Sequence, residues 1–116
     1  MDASRRAVLE RAAIRLGRLD WYERPVRTTR VRIFVAPWLF RLPWFRPFAG
    51  YATHFALFFM NERVAENEDL VTHELCHVWQ MQHRPFSMPL SYLWRGYERN
   101  PYEVEARRAV RETGPD

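Results

Sequence analysis

No lysine occurs anywhere in the 116 residues, so all 18 basic side chains are arginines. They are scattered from Arg5 to Arg111 with no run longer than two, whereas a nucleic-acid footprint gathers its cations on one face. The net charge of +4 and the pI near 9.8 therefore read as a composition bias, and no nucleic-acid partner is expected. Cysteine is nearly absent as well. The single thiol, Cys76, excludes an internal disulfide, and residues 1–20 lack the apolar core of a secretory signal. Both features predict a cytoplasmic protein. Arg and Pro interrupt every apolar stretch before it reaches the roughly 18 residues of a membrane-spanning helix.

What is present suits one small packed domain covering residues 1–116, since 47% of the residues are hydrophobic and 16% aromatic. Val8, Leu9, Ala12, Ala13, Leu16 and Leu19 recur with helical spacing and predict an amphipathic helix over 3–19. From Arg30 to Ala36, Val31, Ile33 and Val35 alternate with Arg32 and Phe34, which predicts a strand stopped by Pro37. The aromatic run from Tyr51 to Met60 reads as a central strand. Asn67 offers an N-cap, with Glu68 and Asp69 in the first turn, for a helix reaching about His83 before Pro85. A loop follows, with a short helix around Leu90 to Trp94. Asn100, Pro101 and Glu103 then mark the start of a last helix running to about Glu112.

The proline-broken segment 38–48 carries Trp38, Phe40, Trp44, Phe45 and Phe48. It reads as a hydrophobic flap over a small core, with a lid or a peripheral membrane contact as the functional alternative.

The chemistry concentrates in HELCH, residues 73–77. Two histidines four apart project from one helix face a turn apart, near enough for both imidazoles to reach one tetrahedral zinc ion. The residue after the first histidine lies about 100° round the helix, so its carboxylate meets a zinc-bound water without becoming a ligand. His73 and His77 are thus expected to bind one Zn2+, and Glu74 to act as general base. Val71, Leu75 and Val78 occupy the opposite, core-facing side. Cys76 reads as buried filler, not as a nucleophile.

Zinc needs a third protein ligand. His83 stands six residues after His77, but Gln80 occupies the place where HExxHxxGxxH has its turning glycine. In a continuous helix His83 then lies about 240° from His77. Glu103 and Glu105, on the last helix, are the rivals. They are about 200° apart, so only one can face the metal. Glu103 is the choice, because Ala106 and Val110 extend an inward stripe from it; its structural alternative is a capping-box carboxylate bonded to Asn100.

HELCH together with the ExxA of Glu103–Ala106 resembles the gluzincins, the thermolysin-like clan of zinc metallopeptidases, and most of all their minimal forms. The resemblance covers the order of elements from about Arg30 to Arg111. It implies an α+β fold: an N-terminal helix, a small twisted mixed sheet, an active-site helix and a C-terminal helix carrying a glutamate ligand. It implies a metallopeptidase in which His73, His77 and Glu103 hold zinc and Glu74 shuttles the proton. A peptide or protein substrate would pair with a sheet-edge strand, for which Tyr51–Met60 is the candidate, and His54 could touch it. The family often places an aspartate four residues after its ligand glutamate, where this chain has Arg107. Tyr92, Tyr97 or Tyr102 could supply an oxyanion donor.

Two other function classes fit the same residues. One is a zinc-stabilised protein-interaction domain without turnover. The other is an arginine- and aromatic-rich binder of nucleic acid or membrane through 38–48.

Overall fold

Asparagine side chains begin three of the five α-helices among the described residues. The computed structural model describes residues 3–97 and 99–114. Its elements run α1 (Ala3–Leu16), β1 (Arg32–Val35), a 3-10 turn (Leu39–Arg41), β2 (Gly50–Ala52), β3 (Ala56–Phe59), α2 (Glu62–Ala65), α3 (Glu68–His83), α4 (Ser87–Arg95) and α5 (Pro101–Thr113). Asn61, Asn67 and Asn100 each accept a backbone N–H through Oδ1, from Val64 at 2.9 Å, Leu70 at 3.1 Å and Tyr102 at 2.9 Å. The four-residue α2 was not foreseen. The fold is α+β.

The sheet is mixed, with order β1-β3-β2. β1 lies parallel to β3 in the register Arg32↔Ala56 to Val35↔Phe59, and β2 lies antiparallel to β3. The single strand expected over Tyr51–Met60 is therefore a hairpin. Its cause is local: Thr53 Oγ1 accepts the Ala56 N–H at 3.1 Å, and Thr53 N–H donates to Ala56 O at 2.8 Å. The hydroxyl closes the turn that period alone does not reveal. β3 is central, with Leu57 and Phe59 fully buried, and β2, like β1, lies at an edge.

α3 packs between α1 and α5 and lies against β2. Its Val71, Leu75 and Val78 are wholly buried and join Leu9, Leu16, Ile33, Phe59 and Ala109 in one hydrophobic cluster. α1 stops at Leu16, short of Leu19, where the chain tightens into i→i−3 bonds from Arg18 and Leu19. Buried Arg15 ties three helices together. It donates to Asp69 at 2.8 Å and Glu68 at 3.1 Å in the first turn of α3, and to Thr113 Oγ1 at 3.2 Å on α5.

Segment 38–48 covers the core only in part. Phe40 is buried, Phe45 packs on Tyr51 and Phe48 on Tyr97. Trp38, Leu42 and Trp44 stay exposed.

Candidate metal centre

His73 and His77 sit one turn apart on α3, with ring centroids 5.0 Å apart. Ala106, fully buried, lets α5 approach closely enough to bring Glu103 between them. The Glu103 carboxylate is 1% exposed and divides its oxygens, Oε1 lying 2.7 Å from His73 Nε2 and Oε2 2.9 Å from His77 Nε2. Ligand atoms of the three residues all lie within 4.8 Å of one another, near enough to hold one metal ion. Asn100 caps α5 with its own side chain, and Glu103 is turned to the histidines.

The rivals for the third position lie elsewhere. His83 Nδ1 donates to Trp79 O at 3.1 Å, its Nε2 faces the Arg24 N–H, and its ring stacks on Tyr22. Glu105 accepts from Tyr22 Oη and from Gln80 Nε2. His54 stands in the β2–β3 turn, with Nε2 3.2 Å from Pro85 O, and does not reach the cluster.

Gln80, which entered the sequence reading only as a missing glycine, has a positive role. Its Nε2 donates to Tyr102 O at 2.8 Å and Glu105 Oε1 at 3.1 Å, both acceptors only. Its Oε1 must therefore face His77, 2.8 Å from Nδ1. His77 donates from Nδ1, which reserves Nε2 for the Glu103 side. A glutamine at i+3 of a ligand histidine is a same-face neighbour, so this partner was legible in principle.

Charge reinforces the geometry. Burial pushes the Glu103 carboxyl up, but hydrogen bonds from His73 and His77 and their charges outweigh it and hold the group well below the usual carboxylate range. Burial pushes His77 down, and its bond to Glu103 with the charges of Glu74 and Glu103 reverses that shift. Arg107 Nε lies 3.7 Å from Glu103 Oε1, and its guanidinium stands 5.9 Å over the Tyr97 ring.

Glu74 differs from the other carboxylates. It is 95% out of solvent, yet its Oε2 has no hydrogen-bond partner among the described residues. Burial raises its pKa, with Glu103 adding to the rise and the two histidines opposing it. It lines a cavity of about 440 Å³ together with His77, Glu103, edge strand β2, Tyr92 and Tyr97. Tyr92 Oη is 3.4 Å from Glu103 Oε2, and Tyr97 lines the same cavity. Tyr102 is not among the cavity-lining residues and packs on the core. A buried carboxylate oxygen facing such a space is a ready acceptor for a proton from water.

Comparison with protein-family models, with curated proteins and with solved structures finds no match for this chain.

Proposed function

We propose that the chain is a zinc metallopeptidase of gluzincin type, holding one Zn2+ through His73, His77 and Glu103. The observation that carries this reading is the Glu103 carboxylate spanning both Nε2 atoms beside the unpartnered Glu74 oxygen at the cavity. Two imidazoles and a carboxylate are a catalytic zinc donor set that leaves a fourth position for water. Held by these residues, a zinc ion would supply Lewis-acid activation of a water and of the substrate carbonyl.

The protein's own groups do the rest. Glu74, basic enough through burial, takes the proton of the attacking water and delivers it to the leaving amine. Tyr92 and Tyr97, on the cavity wall, would supply a phenol donor to the developing oxyanion. β2 offers its edge along the cavity for pairing with an extended peptide. The lone buried thiol suits a cytoplasmic setting. No helix among the described residues is long and apolar enough to cross a membrane.

A second reading is a metal-stapled interaction domain, because the same three side chains join α3 to α5. Metal content and cleavage of a peptide library, measured on wild type and Glu74→Gln, separate the two. The peptidase retains one zinc per chain in the variant and loses about 10²–10⁴-fold in rate. Equal cleavage by both proteins overturns the peptidase; absence of bound zinc in the wild type overturns both readings.

A further inference from the structure

Seven of the thirteen large apolar side chains exposed among the described residues come from two short segments. Trp38, Leu42 and Trp44 belong to the irregular chain after β1. Phe86, Leu90, Leu93 and Trp94 belong to α4 and its N-cap. The second group is spaced i, i+4, i+7, i+8, which places all four within about 100° of one helix face. That face points away from the core. Phe86 is 78% exposed and Trp94 76%, while Met88 and Ser91 on the other side are buried. An amphipathic helix with its apolar stripe turned outward is the reverse of ordinary packing. The two segments meet at the cavity mouth, where Trp44 and Leu93, each 69% exposed, line the same opening.

Charge accompanies the apolar residues. Residues 24–61 and 75–97 contain eight arginines and not one Asp or Glu. Arg41, Arg46, Arg84 and Arg95 are exposed in or beside the two apolar segments. Exposed arginines beside exposed tryptophans, with no carboxylate in either segment, match an anionic phospholipid headgroup layer, in which indole rings settle at the interface and guanidinium groups meet phosphate. A nucleic acid would use the arginines but leave the aliphatic Leu42, Leu90 and Leu93 unexplained.

We infer that the α4 stripe and the Trp38–Trp44 segment dock the protein on an anionic membrane surface, with the cavity mouth turned toward the bilayer. Resting on the peptidase reading, the substrate would then be a polypeptide segment lying at that surface. Docking itself does not require that reading, since none of the residues invoked is a metal ligand.

The test is sedimentation with vesicles of phosphatidylcholine alone and of phosphatidylcholine mixed with phosphatidylserine, with tryptophan emission followed in parallel. The wild type is expected to partition onto the mixed vesicles with a blue shift, and to be released as salt rises. Trp94→Ala and Trp38→Ala each weaken binding about tenfold, and Arg46→Gln about fivefold. Ile14→Ala, an exposed apolar change on α1, leaves binding unaltered, as does Glu74→Gln, so loss of catalysis and loss of docking are read separately. Four results overturn the inference: no binding to mixed vesicles; binding unchanged in the Trp38→Ala/Trp94→Ala double variant; self-association abolished by Trp94→Ala without vesicle binding, which assigns the face to a second copy; or retention on single-stranded DNA without vesicle binding.

Discussion

Gln80 Oε1 lies 2.8 Å from Nδ1 of His77, and the two acceptors on the other side of the amide allow only that orientation. The imidazole tautomer is thereby set from within α3, with Glu105 and Tyr22 behind it.

Gln80→Leu keeps the side-chain bulk and removes the acceptor. Zinc affinity, measured by competition with a chromophoric chelator, is expected to fall about 10–100-fold. Unchanged affinity in Gln80→Leu would show that His77 needs no such partner.

The third ligand is separable by metal analysis of three variants. Glu103→Ala should emerge without zinc, whereas Glu105→Ala and His83→Ala should retain it, since Glu105 faces Gln80 and Tyr22 and His83 faces Arg24. Loss of zinc in either of the latter two alone would move the site.

The metal-free protein should show a stability optimum on the acid side of neutrality. His77 has a folded pKa above its ordinary 6.5, so its contribution is complete below 6.5 and disappears as pH rises through the raised value. Glu103 has a folded pKa below its ordinary 4.5, so its contribution is complete above 4.5 and disappears as pH falls through the lowered value. Thermal unfolding of the zinc-free chain is therefore expected to peak between these two values. Zinc should abolish the decline on the alkaline side, because binding requires deprotonated ligands. A zinc-free Tm constant from about pH 5 to 8 would contradict the pairing.

Gly50 presses on the site from β2. A methyl group there would stand 3.0 Å from Phe59 Cε1 and 3.3 Å from Glu74 Cγ. Gly50→Ala should cost about 1–3 kcal/mol of stability, as overpacking does. It should also displace Glu74, lowering peptide cleavage while zinc is retained. Wild-type stability and rate in Gly50→Ala would mean that both neighbours yield freely.

Sequence signals worked best where their cause is local. α3 begins after Asn67 and ends at His83, and α5 begins after Asn100 at Pro101, because caps and prolines act within a turn. The strand run failed at Thr53, where a side-chain hydroxyl competes with the ladder and hydrophobic pattern is blind to it. Segment 38–48 met its expectation as a flap in part, through Phe40, Phe45 and Phe48. Its aromatics suit burial by type, yet the interior of so small a domain admits Phe40 and leaves Trp38 and Trp44 outside.

The candidate centre divides in the same way. Placing His73, His77 and Glu74 around one helix needs only 3.6 residues per turn, so HELCH specified their relative directions before any fold was known. Glu103 and Glu105 both flank the apolar side of α5, and the stripe of Ala106 and Val110 that favours Glu103 separates them only weakly. The decision came from docking: Ala106 and Ala109 bury against α3, and that contact rotates α5 until Glu103 meets the two imidazoles and Glu105 meets Gln80. Helical phase is a local property of the chain, whereas the angle at which one helix faces another is set by the packed volume between them.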